Sequence, residues 1–209
     1  MSLTLLFIIV TVLVSYFAFQ NENLMTKLLH LPQREYRNGE LYRLLTSGFI
    51  HADWAHLLIN MFVFYQFGTT VAHNFGDIFG EEIGTVLFAA LYLLGIVFAN
   101  LPTFYKHKNN SYYGGLGASG GVAAVTFSYI AFNPFATLLI YGIIPIPAVI
   151  AGVLYLVYSS YAAKKANDNI GHEAHLYGAL FGLIFTFLID PTIFYAFWSQ
   201  ITNTAANRI

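Results

Sequence analysis

Apolar residues run along this chain in long unbroken blocks, and polar residues gather between them; neither the two-residue alternation of a strand nor the narrow stripe of a surface helix dominates. A helix crossing the roughly 30 Å hydrocarbon core of a bilayer needs about 20 mostly apolar residues. Six blocks are candidates: residues 3–19, about 54–72, 83–100, 119–132, 136–162 and about 174–189, with a last aromatic stretch after Pro191. The first has neither a basic start nor a small-residue cleavage site, so it reads as a retained span rather than a signal peptide. Pro145 and Pro147 are expected to kink the fifth, because proline lacks the amide proton that a helix interior uses. Between the blocks lie a long polar loop over 20–50 with Lys27, Arg34, Arg37 and Arg43, a short acidic loop over 73–82, and a polar then glycine-rich stretch over 101–118. Asn133-Pro134 makes a tight turn, and 164–171 is short and charged. The pattern predicts an all-α, polytopic membrane protein of six transmembrane helices, one domain over residues 1–209, with no internal repeat.

The fourth block is too short to cross. Its residues 119–132 would rise about 21 Å as a helix, less than the hydrocarbon thickness. Such a helix starts or stops inside the membrane, where irregular backbone is tolerated only if it is buried in protein or lines a wet cavity. The approach Gly114-Gly115-Leu116-Gly117-Ala118 therefore suggests a water-filled cavity with Ser119 as its floor.

Composition agrees with a bilayer. The 209 residues are 57% hydrophobic and 9% charged, with mean hydropathy +0.63, against about 25% charged in a soluble domain. A net charge of −1 provides no basic field for nucleic acid. The absence of cysteine removes disulfides, thiolate nucleophiles and cysteine metal sites.

Polar side chains inside apolar blocks are costly and so carry information. Ser119 lies in Gly117-Ala118-Ser119-Gly120-Gly121. A serine at a helix start can cap free amides; the same free amides can receive a developing oxyanion. Both readings share one geometry. His175 lies in Ala174-His175-x2-Gly178-x3-Gly182, and a lone helix histidine is ordinarily structural. Here Gly178 and Gly182 form a small face that could pack on Gly117, Gly121 and Ala124, bringing imidazole and hydroxyl within hydrogen-bond reach. His56 and Asn60, spaced i and i+4, share a helix face and could either bond a neighbouring helix or donate to an oxyanion. His51 lies near the membrane edge and could order the first loop. His172-Glu173-Ala174-His175 falls one residue short of the zinc-protease helix motif, so no metal or other cofactor is expected. His172 competes with His175 for the role of base, but precedes the apolar block and is expected nearer to water. The glycine-rich run lacks the lysine of a phosphate loop. A transporter would place charged groups at the midplane and show internal pseudo-symmetry, and neither is visible.

Taken together, His51-x4-His56-x3-Asn60, Gly117-Ala118-Ser119-Gly120 and Ala174-His175-x2-Gly178-x3-Gly182 resemble the rhomboid intramembrane proteases across nearly the whole chain. The resemblance implies a rhomboid-like bundle with Ser119 as nucleophile and His175 as general base, without a third carboxylate. It implies an oxyanion hole from His56, Asn60 and the Ser119 amide, and substrates that are transmembrane helices unwinding near small or helix-breaking residues. The first loop would lie as an interfacial element beside the core, and the long fifth helix would be the lateral gate. Partners would be substrate membrane proteins and the lipid bilayer. Tyr42-Arg43 stands where the family usually has Trp-Arg, and Ala123 where many members place an aromatic residue against the catalytic histidine; Tyr177 or Phe127 could substitute for it. The resemblance places the chain in a bacterial inner membrane with a cytoplasmic N-terminus and the dyad open to the extracytoplasmic side. The first, third and fifth loops would then face outward with eight of the nine Lys and Arg, the reverse of the positive-inside expectation, unless the first loop's charges are held by its own structure. Relatives lacking the serine or histidine bind transmembrane helices without cutting them, the alternative function to be weighed.

Overall fold

The structure, a computed structural model, describes residues 2–140, 143–165, 168 and 170–206. The chain forms α1 (Leu3–Gln20), α2 (Glu22–Leu28), α3 (Pro32–Asn38), α4 (Arg43–Thr46), a 3-10 turn (Ser47–Phe49), α5 (Trp54–Phe79), α6 (Glu81–His107) and α7 (Ser119–Phe132). An antiparallel hairpin of β1 (Thr137–Ile140) and β2 (Ile144–Pro147) follows, then α8 (Ala148–Lys165), α9 (His172–Ile189) and α10 (Pro191–Ala206). Among the described residues α1, α6 and α9 are long and apolar enough to cross a membrane by length and composition, and α7 is a shorter apolar helix.

The helix ends obey local chemistry. Ser2 Oγ accepts from the Leu5 amide at the start of α1, and Asp53 Oδ1 accepts from the His56 amide, 2.8 Å away, at the start of α5. Glu81 and Glu82 fill the first turn of α6 and Lys106 and His107 its last, each with the sign the helix dipole favours. Gly80, at φ +82°, turns the chain between α5 and α6. A methyl at Gly84 would sit 2.6 Å from Phe75 backbone, so these two helices meet at glycine.

α7 is the centre. Its residues Gly120–Val125 are buried, as are Phe127, Ser128, Ile130 and Ala131. α5, α6 and α9 surround it, and Phe64 and Tyr92, with ring centroids 4.4 Å apart, belong to the core beside it. The outer faces are the reverse of a soluble protein: Leu58, Ile59 and Phe62 on α5, Val86 on α6, Val157 on α8 and Leu188 on α9 are all exposed. Apolar surface on this scale is a liability in water and the ordinary state in lipid. The chain is an all-α membrane bundle.

The sequence placed α7 at its observed limits. It shortened α5 and α6: the acidic stretch over 73–82 and the polar stretch after residue 100 continue as helix, to Phe79 and His107. Polarity there marks emergence from the apolar layer, not the end of hydrogen bonding, and α6 carries Pro102 within it. The expected helix over 136–162 is wrong. Residues Thr137–Ile140 pair with Ile144–Pro147, and helix begins only at Ala148. Pro145 and Pro147 sit opposite Leu139 and Thr137 in a two-stranded ribbon, where a missing amide proton is tolerated at an edge. Residues 141–142 of that span lie outside the described residues, as do 166, 167 and 169 of the expected charged loop.

The first loop is folded. Arg43 is buried, and its Nη1 donates to the carbonyls of Thr26 (2.8 Å) and Leu29 (3.0 Å) while its Nε donates to Glu40. Its guanidinium lies 5.3 Å from the Tyr42 ring centroid, the stacking partner that replaces the family tryptophan. Arg34 also pairs with Glu40. Two of the loop's cations are thus tied down within it. Arg208, the one cation expected on the other side, lies outside the described residues.

Candidate active site

Ser119 is the first residue of α7, half-buried, with Ala118 as the cap position and no side-chain cap bond. The capping role for its hydroxyl is therefore not realised. The first-turn amides of α7 have no intrahelical acceptor and remain available. Gly117, at φ +113°, turns the chain into this helix, a conformation that disfavours any other residue.

The approach to Ser119 is pinned from the first loop. The His30 and Gly115 backbones exchange two hydrogen bonds, at 3.0 and 2.9 Å, and the Gly117 amide donates to Ser47 O at 2.9 Å. Behind this contact lies a buried group that the sequence reading missed. His30 Nδ1 is 2.7 Å from Glu35 Oε1, and His30 Nε2 is 2.9 Å from Thr103 Oγ1 on α6. Both His30 and Glu35 are buried, and a charged residue so close to a histidine was the available signal. His51 is fully buried. Its ring lies 3.0 Å from Ser15 Oγ on α1 and accepts from the Ala118 amide at 3.4 Å, so it orders the turn just before Ser119.

The glycine faces do bring α7 and α9 together, with Ala124 as expected but with Gly120 in place of Gly117 and Gly121. A methyl at Gly178 would sit 2.2 Å from Gly120 O, and one at Gly182 would sit 2.1 Å from Ala124 O. Gly117 and Gly121 face elsewhere: Gly117 against the His56 ring, and Gly121 against Ile96 and Tyr92 of α6. Thr186 Oγ1 and Ser128 Oγ, 2.8 Å apart, add a buried polar link along the same seam. Ser119 and Ala174, the residue before His175, line one cavity of about 30 Å³ with Asn100, Tyr113, Gly117 and Gly120, room for about one water. A larger open hollow of about 650 Å³ belongs to the polar surface of the first loop, around Lys27, Arg34 and Arg43.

Among the described residues no hydrogen bond joins Ser119 to His175, and none holds the His175 ring. The imidazole is instead flanked by rings: Tyr155 of α8 at 6.1 Å and 26°, and His172 at 6.0 Å and 84°. Tyr177 is exposed and Phe127 packs on Tyr155, so neither fills the place of the missing aromatic at Ala123. His172 is buried, with Nε2 3.2 Å from the exposed carboxylate of Asp168, so one of its ring nitrogens is engaged toward the surface.

On the α5 side, the His56 ring lies against Gly117: its Nε2 would be 3.0 Å from a methyl added there. Asn60 is buried, and one of its amide protons bonds His56 O of its own helix at 2.9 Å, leaving a second available. Around Ser119 the structure thus offers a hydroxyl at a helix start with free amides, beside a cavity of about one water, and on the neighbouring helices a histidine ring against Gly117, an asparagine with one amide proton available, and the His175 imidazole.

A family model described as Rhomboid domain matches residues 38–191. RHOMBOID-like protein 12, mitochondrial, of Arabidopsis thaliana is 32% identical over 168 residues, covering 76% of this chain and 49% of the relative. Rhomboid-like protein 11, chloroplastic, of the same plant is 31% identical over 161 residues, covering 71% and 52%. The Putative rhomboid protease YdcA of Bacillus subtilis is 27% identical over 151 residues, covering 72% and 68%. This chain spans about half the length of the two plant relatives. The relatives whose names carry a compartment are mitochondrial or chloroplastic, which gives the expected bacterial inner membrane no support. The family match takes in well over half of the chain, including every motif from Arg43 to Gly182: the chain belongs to the rhomboid family and is an integral membrane protein.

Proposed function

We propose that this rhomboid-family protein is an intramembrane serine endopeptidase that cleaves transmembrane segments of other membrane proteins through Ser119 and His175. The observation that carries the reading is the glycine seam of α7 and α9, which sets Ser119 and His175 on abutting helices beside a cavity of about one water. His175 takes the Ser119 proton as Oγ attacks the scissile carbonyl carbon. His56, Asn60 and the Ser119 amide donate to the oxyanion. Collapse of the tetrahedral intermediate breaks the C–N bond, and His175 returns its proton to the leaving amine. Water then attacks the acyl-enzyme, with His175 as base, and restores the hydroxyl. Substrate helices would enter from lipid past α8, and no metal or cofactor takes part in these steps.

The competing reading is a helix-binding protein with a silent dyad, and the unbonded Ser119–His175 pair is what favours it. Cleavage of a transmembrane reporter in detergent, with labelling by a fluorophosphonate probe, separates the two. The protease reading expects wild type to cleave and to take the probe, and Ser119→Ala and His175→Ala to lose both, with rates down on the order of 10⁴-fold or more. Equal cleavage by Ser119→Ala, or a wild type inert to reporter and probe alike, overturns it.

A further inference from the structure

His175 has no carboxylate behind it and no hydrogen bond among the described residues, so ring packing alone sets its orientation. By the resemblance, many rhomboids supply that packing from α7, four residues past the serine. Here that residue is Ala123, 4% exposed, and a methyl cannot fix a ring. We propose that Tyr155 is the positioning residue of His175, its ring supplied across the site by α8 instead of α7. The inference rests on the protease reading above.

Three observations converge on Tyr155. Its ring is near-parallel to the imidazole, 26° apart at 6.1 Å, inside the range in which offset aromatic pairs attract. It is itself held: Phe127, one turn beyond Ala123 on the same face of α7, packs on it at 5.6 Å. Ala123, Phe127, Ile130, Ala148 and Ala179 form the cluster against which Tyr155 lies. Lastly, α8 is shaped to deliver it. The buried residues Ala148, Gly152, Ser159 and Ala162 make a small-residue face on α8, with Tyr155 within that stripe as the large member. A methyl at Gly152 would come within 3.1 Å of Ile130 Cδ1 and 3.4 Å of Phe127 Cε1, so this face seats closely. The Tyr155 hydroxyl makes no hydrogen bond among the described residues, which assigns the role to the ring.

A consequence follows for the reaction. The base is aimed from the wall through which substrate would enter, so the dyad's alignment depends on how α8 is seated. Ordinary core packing would also place a tyrosine here, and the test must separate the two. The full chain in detergent, with reporter and probe, is compared as wild type, Tyr155→Phe, Tyr155→Leu and Ser119→Ala. Keeping the ring in Tyr155→Phe should hold kcat within about twofold. Tyr155→Leu keeps apolar bulk but loses the ring; its kcat and its probe-labelling rate should fall together by about 10- to 100-fold, with KM within about threefold, since a small misplacement of a reacting group costs that much. If the Leu variant does not purify folded, Tyr155→Met, of similar bulk, is read in the same way. Equal kcat in the Phe and Leu variants overturns the inference, as does a loss confined to KM or one that tracks the thermal midpoint alone. A wild type that neither cleaves nor labels overturns the protease reading and this role with it, whereas an active wild type whose ringless variant stays fast overturns only this role.

Discussion

The two flanks of α7 are held by different means. Toward α9 and the first loop, the contacts are made with backbone: methyls at Gly178 and Gly182 would fall 2.2 and 2.1 Å from carbonyl oxygens; toward α6 the approach is as close but meets a short side chain, a methyl at Gly120 falling 2.4 Å from Ala99 Cβ. The first loop adds the His30–Gly115 exchange and the buried His30, Glu35 and Thr103 group. Toward α8 the contacts are the ends of side chains, Ile130 and Phe127 against Gly152, and the chain enters this helix from a two-stranded hairpin. Backbone contacts cannot yield, and side-chain ends can. Ser119 thus stands on the unyielding flank, while the Tyr155 ring beside His175 stands on the yielding one. On the protease reading proposed above, that division would let the site admit a helix while its nucleophile stays fixed.

The sharpest break in the comparison is Glu35→Ala. It leaves His30 buried without its carboxylate partner, and removing one member of a buried pair costs about 3–5 kcal/mol. Chemical denaturation in a mild detergent should read a loss of that size, with reporter cleavage falling because the Gly115 bridge loosens. A cost under about 1 kcal/mol would mean that the first loop is not part of the locked flank.

One substitution made on both flanks comes next. Gly182→Ala places its methyl into Ala124 O, a backbone atom, and overpacking of this kind costs about 1–3 kcal/mol. Gly152→Ala meets only Ile130 Cδ1 and Phe127 Cε1, which can shift by tenths of an ångström, and alanine's better helix propensity returns up to about 1 kcal/mol. The thermal midpoint should fall clearly for the first and stay near wild type for the second. Similar losses in both would erase the distinction between the flanks.

How much of this was readable from the sequence depends on what kind of contact carries it. α7 and the glycine seam were legible because a small residue in an apolar block has few reasons to be there. The partners across the seam were only partly so: Ala124 meets α9 as expected, but Gly120 joins it, whereas Gly117 and Gly121 turn to His56 and α6, since the facing set depends on the rotation of α7 about its axis. The hairpin before α8 was hidden because a short apolar run such as Thr137–Ile140 fits a strand or a buried helix equally well. Pro145 and Pro147 were the cue, and they marked a change of element instead of a kink. His30 was only partly hidden: Glu35, five residues on, was a local cue, but its second partner Thr103 is far away in sequence, and spacing along the chain reports only near neighbours. The proposed role of Tyr155 was out of reach for the same reason, since it depends on His175.

The smallest effect belongs to the rim of the locked flank, at Glu40. Hydrogen bonds from Asn38 first, then from Arg43 and Arg34, hold its carboxyl well below the usual 4.5, at about 2. The folded value is the lower one, so the stabilisation is present above the unfolded value and is lost as pH falls from about 4.5 through about 2. Over that window the Arg34 and Arg43 contacts to Glu40 should weaken while the buried Arg43 bonds to Thr26 and Leu29 remain. Protection from hydrogen exchange over 32–46, corrected for the intrinsic slowing of amide exchange in acid, should fall modestly on acidification, because ion pairs at a solvent-facing rim contribute little. Glu40→Gln should remove most of that pH dependence without disturbing the glycine-rich approach to Ser119. Exchange that quickens alike in wild type and Glu40→Gln would assign the acid sensitivity of the first loop to another group. A spread of fast exchange to Gly115 and Gly117 would show that the rim and the locked flank open as one.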